Sequence, residues 1–195
     1  MAGALDGLRV AIIATNGVEQ AELEQPRQAV DEAGARSTLI SLSTDPIQAM
    51  NSDINKGDTF TPDAAISDVS PDDFDALVLP GGTVNADQLR QSGDVVSFVQ
   101  AVFAAGKPVG VICHGPWTLV EADLVRGRTL TSYPSLRTDI RNAGGNAVDE
   151  EVVVDRGLVS SRNPGDLDAF CAKIVEEFAE GAHSVHDEGA TAGAR

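Results

Sequence analysis

Two cysteines stand in this chain of 195 residues, and they occupy different kinds of sequence. Cys113 follows the apolar run Val109-Gly-Val-Ile112 directly and precedes His114-Gly115-Pro116. A buried strand that runs straight into a helix must turn tightly. The residue on that turn points its side chain out of the sheet, as the serine does in a nucleophile elbow. The N–H groups and dipole of the following helix favour thiolate over thiol, so a depressed pKa is expected for Cys113. Gly115 gives the turn room, and Pro116 suits the first helical position. Spacing alone leaves a buried structural cysteine equally open. Cys171 falls inside the last helical pattern, where packing is its expected role.

Three further groups can reach the same spot. Gly81-Gly82 ends another apolar run, Leu77-Val-Leu79, and its N–H groups with that of His114 could form an oxyanion hole. Away from Cys113 the same pair would read as an ordinary turn. Glu19 and Glu22 follow the first apolar run, Arg9-Val-Ala-Ile-Ile-Ala14. A carboxylic acid beside the sulfur could exchange protons with it, its pKa raised by burial and by the negative charge. The competing role is a surface complement to a helix dipole. His114 precedes the tail, but neighbours on a turn rarely share a hydrogen bond, so its spacing does not give a relay to Cys113. His183 and His186 lack a third ligand, and no metal site is expected there.

The elements that would position these groups alternate. Short apolar runs read as buried strands over 9–14, 37–42 and 109–112, and the segment 71–79 runs into another that ends at Pro80. Helical patterns cover 20–33, with Pro26 as a flaw, and 94–105, 116–122, 136–143 and 164–179. The turn Arg156-Gly157 pairs two strands over 151–155 and 158–161, and the polar stretch 47–62 reads as a β excursion. Alternation of this kind argues for an α/β fold with a mostly parallel sheet and helices on both faces. Function then gathers beyond the carboxyl ends of the strands, at 16–22, 80–87 and 113–117. The segments 1–7 and 180–195 are expected to be flexible, leaving a single domain over 8–179.

Composition narrows the partners. With 30 acidic and 14 basic residues the formal charge is −16, which repels nucleic acid and anionic lipid. Aromatics make up 4% against 42% hydrophobic residues overall, so the core must be built from Val, Leu, Ile and Ala. No apolar stretch approaches the ~20 residues of a membrane span. Neither a signal peptide nor a disulfide framework is visible, and a cytoplasmic location is expected.

Taken together, Ala76-Leu-Val-Leu-Pro-Gly-Gly82, Gly106-Lys-Pro-Val109, Ile112-Cys-His-Gly-Pro116 and Glu151-Val-Val-Val-Asp155 resemble the PfpI branch of the ThiJ/PfpI superfamily. Thr131-Ser-Tyr-Pro134, Asn142-Ala-Gly144 and Val159-Ser-Ser-Arg162 extend the likeness over about residues 8–178. The resemblance implies a flavodoxin-like three-layer sandwich and homodimers or larger rings. It carries the family's nucleophile onto Cys113 and its adjacent histidine onto His114. The family's glutamate lies four residues before a proline, which selects Glu22 before Pro26 over Glu19. An acid that reaches a neighbouring subunit's histidine maps onto Asp87, although the loop is one residue longer here and Asp is shorter than Glu. Trp117 replaces a polar residue and should reshape the pocket. The implied activity is stress protection by attack of cysteine on small reactive carbonyls or their protein adducts (glyoxalase or deglycase chemistry), with no cofactor. An intracellular cysteine peptidase remains an alternative, as does a redox sensor or stress chaperone with an oxidisable cysteine. A glutamine amidotransferase is disfavoured, since no histidine lies between His114 and the tail.

Overall fold

The computed structural model describes residues 3–182. Strand β1 (Arg9–Ile13) leads into helix α1 (Gln20–Glu32), which continues through Pro26, and then into β2 (Arg36–Ser41). The expected β excursion is a hairpin of β3 (Ile47–Asn51) and β4 (Asn55–Phe60), followed by the short β5 (Ala64–Ala65). Next come β6 (Ala76–Leu79), α2 (Thr83–Arg90), α3 (Gly93–Ala104), β7 (Val109–Ile112) and α4 (Pro116–Glu121). The chain ends with β8 (Thr129–Leu130), α5 (Arg137–Asn142), β9 (Asn146–Ala147), β10 (Val152–Asp155), β11 (Leu158–Ser161) and α6 (Leu167–Glu180).

Seven strands form one sheet in the order β10-β11-β7-β6-β1-β2-β5, parallel except for the β10–β11 pair. The period-2 alternation of each strand divides the core in two. Ala11, Ile13, Leu77, Leu79, Val109 and Val111 face the layer of α2 to α5, where Leu89, Phe98, Val102 and Ile140 meet them. Val10, Ile12, Val78, Ile112 and Val159 face α1 and α6, against Leu23, Val30, Phe170 and Ile174. Gly110 lets α6 come close, because a Cβ there would sit 2.7 Å from Ile174 Cγ2. This is the flavodoxin-like α/β sandwich expected, with the helices α1 and α6 packed side by side.

One expectation fails at the start of the chain. Leu5 is fully buried and its N–H donates to Ala33 O at 2.9 Å, so residues 3–7 are tied to the core rather than loose. Among the described residues, no helix is long and apolar enough to cross a membrane. The expectations for the tail, including His183 and His186, lie outside the described residues.

Candidate active site

Three adjacent central strands deliver the site: β1 ends before Thr15, β6 before Pro80-Gly81, and β7 before Cys113. Cys113 has φ +60°, in the left-handed region that costs a non-glycine residue ~1–2 kcal/mol. Its backbone is held at both ends, by its N–H to Ser161 O at 3.1 Å and by Tyr133 N–H to its own O at 2.9 Å. Gly115 is needed behind it, since a Cβ would lie 2.7 Å from Leu79 O. These bonds lock the sulfur at the mouth of the strand ends with Cys113 only 5% exposed.

The partners of the sulfur come from both flanks. His114 Nδ1 lies 3.1 Å from Cys113 Sγ, so the adjacent pair does make the contact that its spacing did not promise. Glu22, on the first turn of α1, is fully buried. One of its oxygens, Oε2, accepts the Gly81 N–H at 2.8 Å, and Oε1 has no hydrogen-bond partner within the protein. Burial therefore pushes the Glu22 carboxyl up to about 8, against the lowering influence of Gly81 and of its contact with Cys113. At neutral pH Glu22 carries a proton and offers it beside the sulfur.

The expected depression of the Cys113 pKa is not what the surroundings produce. Burial raises it, the Glu22 charge raises it further, and the Gly82 N–H lowers it only in part. The physical reason lies in the elbow. Gly115 N–H donates to Ile112 O, Trp117 N–H to His114 O and Thr118 N–H to Gly115 O, so the first N–H groups of α4 are spent within the turn. Cys113 rests as a thiol.

The three expected oxyanion donors separate in the same way. Gly81 N–H is committed to Glu22 and so braces the acid instead. Its lack of a side chain is essential, because a Cβ would stand 2.6 Å from Cys113 Cβ and 3.0 Å from His114 N. Gly82 N–H reaches Cys113, and no backbone acceptor takes the His114 N–H among the described residues. Asp87 is not brought to this centre within the chain. Its carboxylate bonds Arg90 Nε at 3.1 Å and Gln91 Nε2 at 3.1 Å on its own helix. Trp117 does belong to the site: it meets His114 edge-on at 5.5 Å, lies under the Arg90 guanidinium at 4.7 Å, and donates from Nε1 to Asp139 at 2.8 Å.

Several site residues were not found from the sequence. Tyr133 stacks on the His114 ring at 4.6 Å, and Nε2 of that ring sits 3.3 Å from Thr83 Oγ1 and 3.4 Å from Ser135 Oγ. Thr83 in turn donates its hydroxyl to Asp53 Oδ2 at 3.0 Å and its N–H to Asp53 Oδ1 at 2.7 Å. Asp53 is set at the tip of the β3–β4 hairpin, where Ser52 and Asp53 both take positive φ, +55° and +63°. Glu19 holds that tip by accepting both of their N–H groups, at 3.0 and 3.1 Å, which gives it a structural role in place of either expected one. Asn85, fully buried, ties the Gly81 loop to β1 by accepting Thr15 N–H and donating to Gly81 O. The sequence signal for Asp53 is no more than a polar turn, and Thr83 lies 30 residues away from it.

Comparison with known proteins shows what the chain as a whole is similar to. The model of the DJ-1/PfpI family matches residues 8–177. A Pyrococcus abyssi protein named a deglycase is 41% identical over 169 residues, covering 87% of this chain and 98% of its own. A Staphylococcus saprophyticus protein described as uncharacterized is also 41% identical, over 173 residues, covering 87% and 97%. Among solved structures, Drosophila melanogaster DJ-1beta superposes with a TM-score of 0.80 at 29% identity, covering 88% of this chain and 90% of that one.

Proposed function

The chain belongs to the DJ-1/PfpI family, and from that premise we propose that it is a stress-protective enzyme whose Cys113 attacks small reactive carbonyls or the adducts they leave on proteins. The observation that carries this reading is the 3.1 Å contact of Cys113 Sγ with His114 Nδ1, beside a buried Glu22 that keeps its proton at neutral pH. Base and acid stand on either side of one thiol.

In the addition step, the Sγ–H proton passes to His114 Nδ1 as sulfur bonds to the carbonyl carbon. The C=O electron pair moves to oxygen, where the N–H groups of Gly82 and His114 hold it and Glu22 supplies a proton. The product is a hemithioacetal. With a 2-oxoaldehyde, the ionised Glu22 then removes the hydrogen on that carbon as a proton, and the oxygen of the neighbouring carbonyl takes the proton held by His114, giving an enediol. Glu22 returns its proton to the neighbouring carbon while the hydroxyl on the sulfur-bearing carbon gives its own to His114. The result is the thioester of a 2-hydroxy acid. Water hydrolyses it, so one water is consumed and the thiol is regenerated. The slight exposure of Cys113, with Tyr133 and Trp117 packed on the adjacent His114 ring, supports a small substrate over an extended polypeptide.

A second copy of the chain is part of this proposal, with Asp87 facing the histidine of a neighbouring subunit. Val84 and Tyr133, 50% and 39% exposed beside the site, leave apolar surface for such a neighbour. The test is to give reduced protein methylglyoxal, a glycated peptide and casein side by side, while sedimentation reads its assembly at micromolar concentration. Consumption of the first or second is expected, from a dimer or larger. Turnover of casein alone, or no turnover at all, would overturn the carbonyl reading. A fully active monomer would remove the role of Asp87.

A further inference from the structure

The His114 ring is part of a longer chain of hydrogen bonds that the reaction above does not explain: Cys113 Sγ, His114 Nδ1, His114 Nε2, Thr83 Oγ1 and Asp53 Oδ2, at successive contacts of 3.1, 3.3 and 3.0 Å. We propose that Asp53, acting through the Thr83 hydroxyl, is a positioning residue that fixes His114 in its Nε2–H tautomer and so leaves Nδ1 free to take the Cys113 proton. This rests on the reading of Cys113 and His114 as the reacting pair.

The argument is one of donors and acceptors. An ionised carboxylate only accepts, and Asp53 already takes the Thr83 N–H on Oδ1. The single hydroxyl hydrogen of Thr83 is therefore committed to Oδ2. What Thr83 Oγ1 presents to the ring is a lone pair, which only a protonated Nε2 can satisfy. The Ser135 hydroxyl, at 3.4 Å, is free to rotate and can accept from the same N–H. A neutral ring has one N–H, so Nδ1 is then unprotonated where it meets the sulfur. Burial lowers the His114 pKa while Asp53 raises it, which keeps the resting ring neutral yet stabilises the imidazolium formed during attack. Within one chain the charged groups around the pair are Asp53 from the hairpin and Glu22 from α1, and in the proposed assembly Asp87 of a neighbouring subunit would join them.

The hairpin is built to hold this aim. Glu19 fixes the Ser52-Asp53 tip, and Met50 N–H donates to Val18 O at 2.7 Å, so the tip is anchored to the same loop that follows β1. Two consecutive residues at positive φ persist only where their surroundings hold them.

The decisive variant is Asp53→Asn. The amide oxygen can still accept Thr83 N–H, while the NH2 replaces Oδ2 and donates to Thr83 Oγ1. The hydroxyl hydrogen is thereby released toward Nε2, and the ring should convert to the Nδ1–H tautomer with its position kept. Nitrogen NMR of 15N-histidine-labelled reduced protein, with His114→Asn to assign the signal, reads this on the resting enzyme. Wild type should show protonated Nε2 and bare Nδ1, Asp53→Asn the reverse, Thr83→Val a mixture, and Thr83→Ser the wild-type pattern. Turnover should fall by roughly 10²-fold or more in Asp53→Asn with little change in KM, the mark of a wrong tautomer in a correct geometry. A wild-type ring protonated on Nδ1, or the same tautomer in wild type and Asp53→Asn, overturns the proposal. Because the tautomer is read without substrate, a protein inactive on every carbonyl would sink the functional reading and leave this one standing.

Discussion

Cys113 and Cys171 belong to the same side of the sheet, Cys113 buried in the core that α1 and α6 cover and Cys171 half-buried on α6 against it, yet their settings differ. Burial raises both thiols, Cys171 up to about 11 with Asp168 adding to it, and Cys113 further because Glu22 stands beside it. A standing thiolate therefore does not distinguish them. What distinguishes them is backbone and company. Cys113 sits on a left-handed elbow with a histidine nitrogen at 3.1 Å and a protonated acid at hand, whereas Cys171 lies within the regular turns of α6. Reactivity here comes from a base placed to take the proton during attack rather than from a lowered resting pKa.

The strongest way to break this comparison is Cys113→Ser. A serine hydroxyl is far less acidic than a thiol, and His114 is tuned by burial to be a weak base. Carbonyl turnover should drop by at least ~10³-fold while the fold and melting behaviour are kept. Substantial activity in the serine variant, measured under single-turnover conditions, would return Cys113 to the class of structural cysteines.

Gly81→Ala should come next. Its Cβ would meet Glu22 Oε2, Cys113 Cβ at 2.6 Å and His114 N at 3.0 Å, so acid, sulfur and base must all shift. Activity should fall by roughly 10²-fold, with a stability loss of about 1–3 kcal/mol from overpacking. Paired assays and denaturant melts would show it, and an active, equally stable alanine variant would mean that the elbow yields freely.

How much of this could be read beforehand depends on what each residue answers to. The central strands were legible because β1, β6 and β7 are continuous apolar runs, and Cys113 because it follows one directly. Helix α2 was not, since its start at Gly82 has no side-chain cap and its apolar positions are few. Glu22 is marked by its distance from Pro26, a spacing shared with the family the chain resembles, and not by periodicity. Asp53 and Thr83 could not emerge at all. Their pairing is made by tertiary placement of a polar hairpin, and one-dimensional patterns carry no record of it.

Glu22→Gln sharpens the comparison through pH. In the fold Glu22 holds its proton up to about 8, against 4.5 for the free group. Between those values the unfolded chain has released a proton that the native state retains. Stability from this group is thus fully present below the unfolded value and is lost as pH rises through the folded one, by a few kcal/mol across the window. Denaturant midpoints followed from pH 4 to 9 should slope downward in wild type and flatten in Glu22→Gln. Turnover in wild type should fall above about 8 as the acid ionises, and the variant should lose roughly 10–10²-fold at neutral pH. Coincident stability profiles would place the Glu22 pKa near its ordinary value and remove it as the acid.

The smallest effect is expected at Cys171→Ser, and it is the control on which the comparison turns. The Cys171 side chain is half-buried on α6, and its neighbours are the apolar residues of the α1 and α6 layer. A hydroxyl is smaller than a thiol and more strongly hydrated, so the exchange costs packing and some desolvation, about 1 kcal/mol or less at a position that keeps contact with water. Cys113, His114, Glu22, Thr83 and Asp53 form their contacts without the Cys171 side chain. Turnover, its pH dependence and the histidine tautomer should all match wild type, while the unfolding midpoint moves slightly down. A serine there that lowered turnover tenfold with the fold intact would show that α6 communicates with the elbow, and the two thiols would have to be treated as one system.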